Sequence, residues 1–422
     1  MKTMNITAAR CAFVAFLGAA ACQTSAPGNP APARCPAGLA DCDDDGICEV
    51  DITAPASCGE CGRACAVGAH AYPTCTLGRC GIACAPGWAD CDANPANGCE
   101  SDLTAPGSCG SCESSCGGAC VAGACASCDE SLAIDSSDPL DAARALGLCD
   151  GLVSARWVLP DGSDPSTAPG FRPELFQLGH GILPAFGAHI TPHEGVKLVA
   201  ISSGSARQPG DPDFHSPVGF DKGHTSRHPI GFPRESPACP GVVTGTAHDA
   251  IALELTLEVP DWARGLAFDF DFYTFEWPSY VCSHFNDFFV SLLSPFPPGQ
   301  SDGNISFDPM GNAISVNSAF VAVCACPGGP PCIVGGKNFS CALGNSELVG
   351  TGFQEVPPPP LQITDHAATG WLTTTAPVEP GTTITLRLGI YDSGDGGLDS
   401  TTLLDKFRWL PRSPVVSTEP VP

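Results

Sequence analysis

IALELTLEV, residues 251–259, is the stretch whose reading decides the fold. Ile251, Leu253, Leu255, Leu257 and Val259 alternate with Ala252, Glu254, Thr256 and Glu258, a period of two that sends one set of side chains to each face of a strand. The same period returns in Ile384, Leu386, Leu388 and Ile390, and again in Leu266, Phe268, Phe270 and Phe272, which stand opposite Asp269 and Asp271. Such strands have one apolar face and one wet face. Further strand-like runs lie at 196–202, 287–293, 315–323 and 402–410, and the segments between them are rich in Gly and Pro, including Pro357–Pro360. Only Asp138-Pro139, an N-cap followed by a first-turn proline, opens a helical pattern, in LDAARALGL. The chain is therefore mainly β: an antiparallel β-sandwich, jelly-roll-like, over residues 138–411 and followed by a loose tail at 412–422.

Upstream the composition is different. Lys2 and Arg10 precede an apolar run from Cys11 to Ala21, the architecture of a signal peptide over residues 1–21. This run is too short for a permanent membrane span. FLGAAACQTS, residues 16–25, places Cys22 directly after three alanines, where an exported lipoprotein needs a thiol to receive its lipid. Ordinary cleavage, giving a secreted protein, is the alternative. Gln23 after the cysteine, in place of Asp, points to outer-membrane sorting. QTSAPGNPAPAR, residues 23–34, lacks large apolar groups, so 22–34 reads as a lipidated cysteine and a flexible linker. With 19 basic against 45 acidic residues the net charge is −26, which repels nucleic acid and suits a solvated surface or divalent cations.

Residues 35–128 hold 17 of the 26 cysteines and almost no aliphatic core, too little to fold by burial alone. They contain two copies of one unit. GLADCDDDGICEVDITAPASCGECGRAC from Gly38 aligns with GWADCDANPANGCESDLTAPGSCGSCESSC from Gly87, and a C-x-x-G-x-C element follows each, at Cys75–Cys80 and Cys120–Cys125. Cys58/Cys61 and Cys109/Cys112 are C-x-x-C pairs that zinc or redox chemistry could use, but no βαβ pattern surrounds them. In an oxidising compartment disulfides are the default. The candidates are Cys35, Cys42, Cys48, Cys58, Cys61, Cys65, Cys84, Cys91, Cys99, Cys109, Cys112, Cys116, Cys128 and Cys149. Without Cys11 and Cys22, 24 cysteines remain, 17 in the repeats and seven beyond. Both numbers are odd, so full pairing needs a bridge across the boundary, and Cys128 with Cys149 is the candidate. Asp41, Asp43, Asp45 and Gly46 imitate the start of a calcium loop, but the twelfth position is Ile52 and not Glu, so Asx turns are the better reading.

DFDFYTFEWPSYVCSHFNDFFVSLL (269–293), NISFD (304–308), GNAISVN (311–317) and ITLRLGIYDSGDGGLDSTTLLDKFRW (384–409), in that order, resemble the choice-of-anchor L domain. The resemblance spans residues 138–411. It implies an exported protein held at the cell surface, and it brings no established activity. Three features depart from the family pattern: Glu276-Trp277-Pro278 replaces a paired-Glu turn, Lys406 stands where Asn is usual, and extra cysteines occur at 239, 282, 324, 326, 332 and 341.

Asp392, Asp395, Asp399 and Asp405 form a dense acidic group, which Glu276, Asn286 and Asp287 can join if the strand ends meet. Calcium takes six to eight oxygen ligands in flexible geometry, and Ca2+ is the cofactor such loops could hold. The plainer reading is that Asp and Gly simply make the DSGDGG turn. Glu276 and Asp287 could also act as a glycosidase pair, which only their separation in space can decide. His189/His193 and His224/His228 have zinc-like spacing, but breakers interrupt both segments and neither H-E-x-x-H, G-x-S-x-G, a P-loop nor a dinucleotide fingerprint is present in context. No catalytic residue is assigned. The sequence thus reads as a surface lipoprotein with an adhesive or ligand-binding β-sandwich, whose partners are the membrane, through the lipid, and a glycan or extracellular protein. A secreted hydrolase or a purely structural envelope protein is the alternative. Mass spectrometry of the native product should find an acylated Cys22 at its N-terminus; an intact Met1 end contradicts the export reading.

Overall fold

The computed structural model describes residues 35–421 except 113, 117–118, 327 and 355–365. The signal segment, Cys22, the 22–34 linker and Pro357–Pro360 lie outside the described residues. Two compact units are present, Met1–Ala83 and Cys84–Pro422. Their boundary falls between the two repeats, inside the 35–128 block.

In the first unit the repeat is closed by Cys35–Cys48, Cys42–Cys61, Cys58–Cys75 and Cys65–Cys80. In the second unit Cys84–Cys99, Cys91–Cys112, Cys109–Cys120 and Cys116–Cys125 repeat that connectivity position for position. The buried apolar residues described in this region are themselves cysteines, Cys58, Cys99, Cys109 and Cys116, so the bridges take the place of a core. Glycine is required at one point of each copy. A Cβ on Gly59 would lie 2.5 Å from the Gly78 carbonyl oxygen, and one on Gly110 would lie 2.2 Å from that of Gly123. Both glycines have positive φ, which L side chains rarely adopt. The second repeat continues into the sandwich: Cys128 is bonded to Cys149, and a Cβ on Gly107 would stand 3.1 Å from the Trp262 ring.

The sandwich is two antiparallel sheets. One runs, strand beside strand, His180–Leu183, Leu198–Ser202, Ser400–Leu410, Gly265–Thr274, Leu372–Pro377 and Ser417–Pro420, with Ala367–Ala368 also on Gly265–Thr274. The other runs Thr225–Ser226, Ala247–Glu258, Thr383–Ser393, Phe288–Ser294 and Ile314–Ser315, with Leu152–Val158 also on Ala247–Glu258. Their alternating apolar faces meet in one core, where Phe270 of the first sheet lies 4.8 Å, centroid to centroid, from Phe289 of the second. Each such buried Leu or Phe contributes about 1.5–3 kcal/mol. The helix Pro139–Ala145 forms, with the Asp138 carboxylate accepting from the Leu140 amide at 2.9 Å.

Three expectations are corrected. The outer faces are wet only in part: Glu258 and Thr383 are exposed, but Glu254, Asp269 and Asp271 are buried, because Arg156 and Arg387 close over Glu254 while a second apolar cluster around Phe186, Leu348 and Phe353 packs on Tyr273. The 315–323 run is a strand only at Ile314–Ser315, with isolated bridges from Val323 to Ala368 and Gly344, since the Ser315 hydroxyl takes the Asn317 amide and turns the chain. The tail is not wholly loose, for Ser417–Pro420 pairs with the otherwise open edge of Leu372–Pro377. The extra cysteines form Cys239–Cys282, Cys324–Cys341 and Cys326–Cys332, which enclose a small core around Trp277. Phe270→Ala should destabilise the sandwich by about 3–5 kcal/mol, read from urea unfolding; a loss below about 1 kcal/mol would contradict the shared core.

Candidate functional site

Register decides which acids meet. Thr274 pairs with Ser400 in the first sheet, and Phe288 pairs with Tyr391 in the second. One step beyond the first pair, the Phe275 amide donates to the Asp399 carbonyl at 3.2 Å, which sets Asp399 opposite Phe275. One step beyond the second pair, Asp287 faces Asp392. Two connections, 275–287 and 394–399, pass between the sheets at this end; Glu276, Asp287 and Asp392 converge there, while the Asp399 carboxylate lies toward Gly204 and Lys222.

Glu276, Asp287 and Asp392 present carboxylate oxygens within 4.8 Å of one another. They are 2%, 0% and 1% exposed, and Asp399 and Asn286 are 1% exposed. Asp287 is well supplied with donors: the Ser393 amide at 3.2 Å and the Ser400 hydroxyl at 2.6 Å. Its own amide donates to Glu276 Oε2 at 3.0 Å. Asp392 Oδ2, both oxygens of Asp399 and Asn286 Oδ1 are sealed from water without any donor. Burial, then the Asp287 charge, holds the Glu276 and Asp392 carboxyls well above the usual carboxylate range. Burial pushes Asp287 up to about 6 and Asp399 well above its ordinary value. Asp395 is exposed on the turn, where its charge adds to the pressure on Glu276 and Asp287.

Sequence reasoning missed a second half of this centre. The Lys222 side chain is completely buried, its Nζ donates to the Ser202 carbonyl at 2.8 Å, and burial brings it down to about 8. Asp249 takes the Lys222 and His224 amides at 2.7 and 3.2 Å. The charge of Lys222 acts on both Asp249 and Asp399. Nothing local in DKGH marks this lysine as buried, because the loop that carries it is enclosed only by distant strands.

Asp405 does not join the group. It lies within the Ser400–Leu410 strand opposite Asp269, where it accepts from the His193 amide, and burial pushes it up to about 8. His193 Nδ1 is 3.0 Å from Asp269 and its ring lies 4.2 Å from that of Trp371, while His224 is buried against Asp249. Neither histidine pair sits on a helix, and among the described residues no histidine takes part in a group of three ligating side chains. In the repeats Asp41, Asp43, Asp45 and Glu49 cluster, as do Asp90, Asp92 and Glu100. Their oxygens serve backbone amides in Asx-type turns, Asp45 taking Ile47 at 2.8 Å and Asp92 taking Asn94 at 3.0 Å.

The Glu276–Asp287 geometry does not suit glycoside hydrolysis. Their oxygens are closer than the about 5–5.5 Å of a retaining pair, and no face of either reaches solvent.

A disulfide-stapled repeat region leading into an antiparallel sandwich with a buried carboxylate centre is the class that fold and site define. Residues 239–407 match the family model of the choice-of-anchor L domain. The match encloses both connections that build the centre, and it starts at 239 where the motifs implied 138. The family and the twelve disulfides fit an exported protein, and among the described residues no helix is long and apolar enough to cross a membrane. No curated protein matches the chain. One solved structure that matches is TmCBM61 in complex with beta-1,4-galactotriose, at 8% identity and a TM-score of 0.22 over 66% of this chain and 97% of that one. A likeness that low transfers neither fold nor ligand.

The raised acids set a pH dependence. Each binds its proton more tightly folded than unfolded, so its contribution is full below the unfolded value and lost as pH climbs through the folded one. Asp287 and Asp249 pass that point at about 6 and Asp405 at about 8. Buried His180 and His224, held down at about 3 and about 4, act the other way only below their unfolded value of about 6.5, and Lys222 acts only above about 8. Between pH 6.5 and 8, in chelator, unfolding free energy should therefore fall, by up to about 1.4 kcal/mol per pH unit for each acid. A flat or rising denaturation midpoint over that range would refute the charge assignment.

Proposed function

We propose that this chain is an exported, surface-held binding protein. Its lipid on Cys22 holds it to the outer membrane, the cysteine repeats form a stalk, and the sandwich engages an extracellular ligand, glycan or protein, without catalysis. One observation carries the reading. The densest ionisable group of the sandwich is closed off under the 275–287 connection, so it organises that loop and meets no substrate.

The loop in turn offers aromatic surface. Tyr280 and Phe285 are half-buried and edge-on at 5.4 Å, and His284 is exposed beside Phe285. A Cβ on Gly394 would lie 2.7 Å from the Phe285 ring, so the ring rests on the turn that follows Asp392. Cys239–Cys282 clips the loop to the segment before the Ala247–Glu258 strand, and the Gly245 amide donates to the His284 carbonyl at 3.1 Å. Aromatic rings held on rigid backbone lose little entropy on contact and are what sugar faces and protein hot spots use. The choice-of-anchor L match supports a surface location.

The test is a glycan and extracellular-matrix screen of the mature chain carrying Cys22→Ser. Binding to one ligand class that drops at least tenfold in Tyr280→Ala is expected. Absence of binding across the screen, or turnover of a screened glycan, overturns the proposal.

A further inference from the structure

The carboxylate centre has an excess of negative charge that the protein leaves uncompensated. Glu276, Asp287 and Asp392 stand together, and the buried ammonium of Lys222 already faces Asp249 and Asp399. Isolated buried charges cost several kcal/mol each unless paired or bound to a metal. Shared protons can remove part of the excess, since Asp287 and Asp392 are close enough for a hydrogen bond between their side chains. Asp392 Oδ2, a member of the group, is nevertheless buried without a donor, as is Oδ1 of Asn286, the residue before Asp287. Both oxygens of Asp399 are likewise buried without a donor, within the field of Asp287 and Lys222.

We propose that Glu276, Asp287 and Asp392 form a binding site for one calcium ion between the two sheets. The donor set is all oxygen, which excludes the softer metals that histidine and cysteine select. Three carboxylates supply two oxygens each, which reaches the lower end of the six to eight that calcium takes. Magnesium keeps several waters and demands near-ideal octahedral geometry, and a site sealed from solvent supplies neither. A doubly charged ion offsets most of the charge of the three grouped carboxylates. It also ties the start of the 275–287 loop to its end and to the end of the Thr383–Ser393 strand, so loop order depends on the ion. The site stands on these contacts alone, whatever the ligand at the surface.

The test uses the full mature chain after chelation. Titration calorimetry with calcium chloride should show one ion per centre, with magnesium at least tenfold weaker, and saturating calcium should raise the melting midpoint by about 5 °C. Asp392→Asn with Glu276→Gln should weaken calcium at least tenfold, while Asp41→Asn with Asp43→Asn in the first repeat leaves it unchanged. Because the first pair could also disturb folding, terbium gives a second readout. Terbium emission excited through tryptophan should appear in the native chain and be largely lost in Trp277→Phe, a change at the residue that follows Glu276, with calcium affinity retained. Absence of calcium heat and of any thermal shift overturns the site. So does terbium emission that survives Trp277→Phe, or calcium binding abolished by the repeat variant.

Discussion

A carboxylate taken out of water must find a donor, a proton or a cation, and three of them leave water together at one end of this sandwich. That constraint governs the surrounding architecture. The two connections that cross between the sheets are held where they are by what the acids require: Ser393 and Ser400 turn toward Asp287, the Asp287 amide turns toward Glu276, and Lys222 is drawn fully inside. Around this polar end the rest of the domain is conventionally apolar, with phenylalanine rings of both sheets in contact.

The disulfides divide the mechanical work. In the repeats they substitute for a core, since cysteines are the buried apolar residues described there. In the sandwich they do something narrower. Three bridges gather the 317–345 excursion and the 275–287 loop around Trp277, the residue after Glu276, so covalent and polar constraints act on the same few residues. A loop fixed this way can carry Tyr280, His284 and Phe285 at the surface with little conformational freedom left to lose.

Much of this was legible in the chain. The alternation in 251–259, 266–272 and 384–390 identified three central strands because half-buried strands must alternate. The duplication of the cysteine unit was legible, and so was the boundary bridge Cys128–Cys149, but the pairing inside each copy came only from the structure. Asp405 was misplaced with the acidic group because its nearness in sequence to Asp399 says nothing about direction along a strand: six residues of extended chain carry it well away from the sheet end. The outward aspartates 269 and 271 looked solvated because period two distinguishes faces without telling which of them a later loop will cover. Lys222 gave no signal, since a lysine in a Gly-containing loop is ordinarily exposed.

Local chemistry alone, then, determined the redox state in which the cysteines are read, the strand periodicity and the inventory of acids that could hold a cation. Which acids meet was decided only by tertiary structure. Cross-strand register is set by the packing of whole faces, and it brings residue 275 to 399 and residue 287 to 392 across more than a hundred intervening positions. No short-range rule encodes that distance, because the free energy that selects it belongs to the two sheets closing on their common core.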